Sequence, residues 1–204
     1  MKLRSAVVLA VAAAVVFAAC GGDDGGSTSD STSAPASTGG TATTMPTGDF
    51  DEADVEFLQA MIPHHEQAIE MAELALDPTV GASAGIVDIA TRIAAAQGPE
   101  IEQMTAWLTA WGQPLQPDTS GGHDMSSMDG MMPATEMDAL DAATGAEFDA
   151  LWAEMMIRHH EGAIAMAQDV KNSGADPEVL QLADRIIAAQ QAEVTELQAL
   201  AGES

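Results

Sequence analysis

Two histidine pairs, each beside methionines, are the residues of this sequence best suited to chemistry. They occur in two segments, 61–72 and 156–167, which are identical at nine of twelve positions and share the pattern Met-Ile-x-His-His-Glu. On a helix, residues three or four positions apart share a face, so each pair has one methionine before it and another after it on one stripe. Imidazole and thioether together form a soft ligand set that suits Cu(I). The candidate metal ligands are His64, His65, His159 and His160, with Met61, Met71, Met156 and Met166.

These residues also have ordinary structural interpretations. Methionine at helical spacing commonly fills a core, and a histidine on a helix commonly makes hydrogen bonds within the fold. Glu66 and Glu161 directly follow the two pairs, where they either accept hydrogen bonds from the imidazoles or face solvent. Because imidazole titrates near neutrality, the pairs are also candidates for a pH sensor. The symmetric placement of two His-His-Glu triplets favours the metal interpretation.

A second group of soft ligands lies between the two repeated segments. Residues 122–132 contain one histidine and four methionines in a polar stretch. Because such a stretch has no core to fill, its thioethers predict a flexible segment that captures Cu(I) or Ag(I). The alternative is a flap whose methionines cover the folded domain. The residues concerned are His123, Met125, Met128, Met131 and Met132.

Four long helices must position these groups. Apolar periodicity with proline and glycine signals predicts helices over about 51–76, 83–111, 146–171 and 176–201, and a short helix within 135–143. Pro99 follows Gly98 inside the second helix and is expected to kink or interrupt it. The repeat then predicts an all-α fold over 50–204, a four-helix bundle built from two duplicated helical hairpins with a Met-rich linker at about 112–134.

The predicted bundle places both histidine pairs near the middle of a helix, so they should lie at one level. This holds whether the linker makes a simple up-down connection or a long crossover. Adjacent residues on a helix diverge by about 100°, so only one histidine of each pair is expected to point squarely inward.

The first fifty residues predict export and a lipid anchor. Residues 1–20 join a basic start to an apolar run that ends at Cys20, as in a bacterial lipoprotein signal. An ordinary secretory signal with an incidental cysteine is the alternative. Residues 21–49 contain no Leu, Ile, Val or Phe, which predicts a disordered tether. We therefore expect an extracytoplasmic protein that is attached to the membrane of a bacterial envelope through lipid on Cys20.

Charge and missing motifs exclude several function classes. The chain has 32 acidic and 6 basic residues and a formal charge of −26, which disfavours any role in binding nucleic acid. The single cysteine cannot form an intramolecular disulfide. No Glu-x-x-His motif precedes the histidine pairs, so a carboxylate-bridged di-iron site is poorly supported. The expected partners are a metal ion and the membrane, while protein partners and the oligomeric state stay open.

The two Met-Ile-x-His-His-Glu-x-Ala-Ile-x-Met-Ala segments resemble those of the DUF305 family, a family of duplicated ferritin-like helical bundles. The resemblance covers about 54–201 and includes the Gln-x-x-Glu stretches at 97–100 and 190–193 and the Gly-His-Asp-Met linker. It implies an extracytoplasmic, often lipid-anchored protein with copper handling in some members, and no established activity. Transferred to this chain, it gives the same four histidines and their neighbouring methionines as ligands.

Three functions follow from these observations. The leading hypothesis is a non-enzymatic lipoprotein that binds or buffers copper through its paired histidines and its methionines. The second is a ferritin-like redox metalloenzyme that uses iron or copper. The third is a metal-free interaction module of the cell envelope, in which the repeated stripes only build structure.

Overall fold

The computed structural model describes residues 48–116 and 128–202, which fold into helices without a strand in those ranges. The helices are α1 (Glu52–Leu76), α2 (Ala84–Ala110), α3 (Ala134–Ala142), α4 (Gly145–Ser173) and α5 (Pro177–Gly202). The predicted all-α class is confirmed. Predictions about the leader, the tether, Cys20, His123 and Met125 concern residues outside the described ranges.

The start of α1 is fixed by a reciprocal capping arrangement that also joins it to the α4–α5 turn. The Asp54 amide donates to the Asp51 carboxylate at 3.1 Å, and the Asp51 amide donates to the Asp54 carboxylate at 3.0 Å. The Asp54 carboxylate also accepts the amides of Ala175 and Asp176, both at 3.0 Å. Asp176 in turn caps α5 by accepting the Val179 amide at 3.2 Å. These aspartates therefore connect the start of α1, the α4–α5 turn and the start of α5.

Helix α2 continues through Gly98 and Pro99 without a break, so the predicted interruption of this helix is wrong. Gly98 has no side chain to meet the proline ring, which removes the usual clash before a proline. Buried residues on both sides of this point, Ile93 and Met104, hold α2 against the core. Their packing offsets the hydrogen bond that Pro99 cannot make.

The long helices pack as two hairpins, α1 with α2 and α4 with α5, and the hairpins meet mainly through α1 and α4. Their buried apolar residues form two clusters. Core A joins the second half of α1 to the first halves of α2 and α4 and includes Ala68, Met71, Ile89, Ile93, Phe148, Trp152 and Met156. Core B joins the opposite ends and includes Phe57, Met61, Met104, Trp107, Ala163, Leu182 and Ile186.

The membership of the two cores shows how the hairpins are wired. Helix α1 runs from core B to core A, whereas α4 runs from core A to core B, so these two helices are antiparallel. Helix α2 ends at core B and α4 begins at core A, so the connection between them traverses the length of the helices. This is the long-crossover wiring, one of the two that the sequence leaves open. Over 48–116 and 128–202, no helix has both the length and the apolar character required to cross a membrane.

Candidate metal centre

A layer of buried polar side chains separates core A from core B. All four paired histidines are fully buried, and the side chains of Gln97 and Gln190 are 3% exposed. Along α1 the layer falls between Met61 of core B and Ala68 of core A, and each of the other long helices crosses it in the same way. We call these six side chains, together with the half-buried Glu100 and Glu193, the polar layer. Its members are His64, His65, Gln97, Glu100, His159, His160, Gln190 and Glu193.

His64 and His159 face each other across the contact between α1 and α4. Their ring centroids are 3.8 Å apart, with 40° between the ring planes. Neither Nδ1 nor Nε2 of either ring has a hydrogen-bond partner among the described residues. Leaving a buried polar atom without a partner costs about 1–3 kcal/mol, so four such nitrogens in contact form an expensive arrangement for a purely structural role.

Burial keeps this histidine pair neutral. Desolvation, with a smaller contribution from the nearby His65, lowers the pKa of His64 to about 3. Desolvation and the neighbouring histidines also lower the pKa of His159 well below its usual value. The backbone of Asp129 lies near the His64 ring and works in the opposite direction, without making a hydrogen bond of ordinary geometry. Neutral imidazoles retain the lone pairs that a metal ion requires.

The second histidine of each pair contacts the partner helix of its own hairpin. His65 Nε2 lies 2.9 Å from a carboxylate oxygen of Glu100 on α2, and His160 Nε2 lies 2.7 Å from one of Glu193 on α5. If each Nε2 donates its proton to the carboxylate, each Nδ1 carries a lone pair. Both Nδ1 atoms are buried and unpartnered among the described residues.

Two expectations for these residues can be compared with the structure, and the one for the glutamates needs correction. In agreement with the expectation that one histidine of each pair points squarely inward, His64 and His159 face each other between the hairpins, while His65 and His160 face the partner helix of their own hairpin and are buried by it. Glu66 and Glu161 lie exposed on the helix surface, and the carboxylates that contact the imidazoles are Glu100 and Glu193 instead. The signal that could have found them was the Gln-x-x-Glu stretch that α2 and α5 share, at 97–100 and 190–193.

Unpartnered donors and acceptors are concentrated in the polar layer. Besides the ring nitrogens, both amide atoms of Gln97 and the Oε1 of Gln190 lack partners within the described part of the chain. Nine unpartnered buried atoms therefore belong to this one layer. Buried polar atoms in proteins are nearly always satisfied, so a cluster of this size makes the polar layer the candidate ligand site of the described ranges.

The methionines of the stripes lie on both sides of the layer. Met61 is fully buried in core B, whereas Met71 and Met156 are fully buried in core A. Met166 is half-buried against core B. Met61 and Met156 are the residues one turn before His64 and His159, so one thioether borders the layer from each side. Over 48–116 and 128–202, no three His, Cys, Asp or Glu side chains converge as a ready-made metal site.

The described end of the Met-rich linker is docked on the helices. Met132 is 3% exposed and belongs to core A, while Met128 and Met131 are half-buried. Gln67 on α1 donates to the Met132 carbonyl at 2.9 Å and accepts the Met132 amide at 2.7 Å. For residues 128–132 the flexible segment expected from the sequence is therefore wrong, and the alternative of a flap that covers the bundle fits.

Comparisons with known proteins place this arrangement in a family. A family model described as domain of unknown function (DUF305) matches residues 54–201. A solved DUF305 protein from Streptomyces coelicolor, assigned as secreted, superimposes with a TM-score of 0.68 at 26% identity, covering 74% of this chain and 93% of that one. A DUF305 fragment from Deinococcus radiodurans gives a TM-score of 0.67 at 30% identity, covering 76% and 98%.

Another similar structure holds copper. CopM in its Cu(II)-bound form superimposes with a TM-score of 0.62 at 32% identity, covering 74% of this chain and 96% of CopM. CopM has also been solved in Cu(I)-bound and Ag-bound forms. None of the curated proteins matches the chain.

Proposed function

The chain belongs to the DUF305 family, and from this premise we propose that it is an extracytoplasmic, lipid-anchored protein that binds Cu(I) in its polar layer. The observation that carries the proposal is the facing pair of His64 and His159. Two neutral, fully buried imidazoles lie in contact, and none of their four nitrogens has a partner among the described residues. The copper- and silver-bound forms of CopM support the choice of a soft metal ion.

The donor set of the layer favours copper over the hard divalent cations. Imidazole suits copper and zinc, whereas thioethers select Cu(I). Met61 and Met156 belong to the cores on opposite sides of the layer, each one helical turn before a facing histidine, and are the thioethers of the repeated stripes next to the pair in sequence. We assign His64 and His159 as the primary ligands, with Met61 and Met156 as the nearest thioethers and His65 and His160 as flanking donors.

Glu100 and Glu193 have the role of orienting the flanking histidines. A carboxylate that accepts the Nε2 proton fixes the tautomer and the ring angle and makes the other nitrogen a better ligand. The two carboxylates also place negative charge next to a site that would take up a cation.

The remaining proposals concern the cellular location of the protein and a second site for copper. We propose that lipid on Cys20 anchors the protein outside the cytoplasm and that residues 21–49 tether the bundle to the membrane. The similarity to a DUF305 protein assigned as secreted supports this location. Because Met132 fills core A, the linker ligands that remain for a second, weaker site are His123, Met125, Met128 and Met131.

The test is a Cu(I) titration against a competing chelator. We expect the double variant His64→Gln/His159→Gln to lose the site that binds Cu(I) most tightly. A linker variant with His123→Gln, Met125→Leu and Met128→Leu should keep that site and bind fewer Cu(I) ions in total. Cu(I) should also raise the melting temperature of the wild type, because a ligand that binds only the folded state stabilises it. If the histidine variant binds and melts as the wild type does, the proposed function is wrong.

A further inference from the structure

Residues 128–132, which we call the strap, lie against α4 at the level of the polar layer. The backbone of Asp129 lies near enough to the His64 ring to raise the pKa of that imidazole, against the larger effect of burial. Gly130 has a φ of +83° and packs so closely on α4 that a Cβ at this position would be 2.9 Å from the carbonyl oxygens of Arg158 and His159. A Cβ on Gly162 would come within 2.6 Å of the Asp129 carbonyl carbon. The strap therefore contacts the backbone that carries His159 and lies beside the ring of His64.

The strap is held on both of the helices that supply the facing histidines. On the α1 side, Gln67 makes two hydrogen bonds to the backbone of Met132. On the α4 side, Arg158 lies 3.0 Å from the sulfur of Met132 and also pairs with Glu136. Attachments on both sides place the strap across the groove between α1 and α4.

At each position where the two repeats differ, at least one of the two residues contacts the strap or lines the cavity beside it. Gln67 makes hydrogen bonds to the strap, whereas its counterpart Gly162 has no side chain and lets the strap backbone pack directly against α4. Arg158 contacts Met132, and Ala165 lines a cavity of about 390 Å³ between the strap and α4. One strap serves two repeats, so the repeats must differ where it docks even though their histidines are identical. The three differing pairs are Pro63 and Arg158, Gln67 and Gly162, and Glu70 and Ala165.

We propose that the strap is the gate through which Cu(I) reaches and leaves the His64–His159 pair. This inference rests on the proposed copper site in the polar layer. The apolar cores close the pair from both ends of the bundle, and α2 and α5 pack behind α1 and α4. Detachment of the strap from Gln67 and Gly162 opens the α1–α4 groove without separating any pair of long helices.

The cavity beside the strap gives an arriving cation a first place to bind. Met131, Asp129 and Glu161 are among the residues that line it, and side chains of these types supply thioether and carboxylate ligands. Arg158 also lines it, but the guanidinium is paired with Glu136. A soft cation at this point would lie next to the edge of the strap, one helical turn from His159.

Two variants weaken the attachments without touching a proposed ligand. Gln67→Ala removes both hydrogen bonds to Met132. Gly162→Ala introduces a Cβ that collides with the Asp129 carbonyl, while the added helix propensity protects α4 itself. Gln168→Ala on the exposed face of α4 is the matched control.

The experiment measures the rates of Cu(I) uptake and of Cu(I) release to a competing chelator in the full chain. If the strap must open before either step, both rates scale with the open fraction, whereas the equilibrium dissociation constant hardly changes. Two lost hydrogen bonds correspond to about a tenfold or greater increase in both rates for Gln67→Ala, with a similar increase for Gly162→Ala. Gln168→Ala should exchange Cu(I) as the wild type does.

Two results would overturn the proposal that the strap is a gate for Cu(I). Unchanged rates in both strap variants would mean that copper uses another route. A weaker affinity with an unchanged uptake rate would make the strap a holder of the ion rather than a gate. The variant His64→Gln/His159→Gln separates these results from a failure of the copper site, because if it binds Cu(I) as tightly as the wild type, the site and the gate over it are both rejected.

Discussion

At the level of single residues, His64 and His159 differ from His65 and His160 in what their ring nitrogens contact. The first two contact each other and make no hydrogen bond among the described residues, whereas each of the others is held by a glutamate of the adjacent helix. The chain thus contains one pair of histidines left open for a ligand and two histidines whose orientation is fixed. This difference follows from the 100° rotation between neighbouring helical residues, which turns one histidine toward the other hairpin and the next toward its own.

The glutamates can be tested by substitutions that keep size and remove charge. We expect Glu100→Gln and Glu193→Gln each to weaken Cu(I) binding by about tenfold, because the carboxylates orient His65 and His160. The measurement is a chelator competition titration. Glu66→Gln and Glu154→Gln are matched controls in the same two helices that carry the histidines, and they should bind as the wild type does because both side chains are exposed. Equal losses in all four variants would indicate a general charge effect and contradict the assignment.

At the level of helices, the sequence predicted most of the scaffold and part of the site. The predicted helix limits of 83–111 and 146–171 lie within two residues of Ala84–Ala110 and Gly145–Ser173. Apolar periodicity and end signals are local, so they can be read from the chain. The prediction that both histidine pairs lie at the same height along the bundle followed from their positions near the middle of a helix.

The remaining features depend on contacts between residues that are distant in the sequence. Glu100 reaches His65 across 35 residues and Gln67 reaches Met132 across 65. A Gln-x-x-Glu stretch is ordinary on an exposed helix, and only packing turns it toward the layer. The docking of the strap likewise depends on a close backbone contact between Gly130 and Gly162, which carries no periodic signal.

The uninterrupted α2 gives a prediction at the same scale. Pro99 is exposed in the interior of a continuous helix, where proline is about 3 kcal/mol less favourable than alanine. We expect Pro99→Ala to raise the free energy of unfolding by about 1–3 kcal/mol, as measured by chemical denaturation. Ala95→Gly on the exposed face of the same helix should lower it by about 1 kcal/mol and serves as the control. A less stable Pro99→Ala variant would show that the proline is required for the path of α2.

At the level of the whole molecule, the surface charge fits a protein that collects cations. Each basic residue of the described ranges contacts an acidic or amide side chain: Arg92 binds Glu196, Arg158 binds Glu136, Lys171 binds Asp184 and Arg185 binds Gln103. The whole chain has a formal charge of −26, and the basic groups of the described ranges are already engaged with neighbouring side chains. Such a field raises the local concentration of metal cations and repels nucleic acid.

The membrane anchor is tested on the complete chain. We expect Cys20→Ser to move the protein from the membrane fraction to the soluble fraction of its native host, because no described helix could replace a lipid as an anchor. Fractionation followed by immunoblotting measures this, with Ser27→Ala in the predicted tether as a control that stays on the membrane. Membrane retention of Cys20→Ser in high salt would contradict the proposed lipid attachment.

The position of the bound ion shows whether copper lies between His64 and His159. Crystals of the protein loaded with Cu(I) should give an anomalous difference peak at the copper edge between His64 and His159, with copper–nitrogen distances of about 2.0 Å, similar to those of other imidazole–metal bonds. We expect this peak to be the strongest on the folded domain and to be missing in His64→Gln/His159→Gln crystals. A strongest peak at the molecular surface, with no density between the two imidazoles, would contradict it.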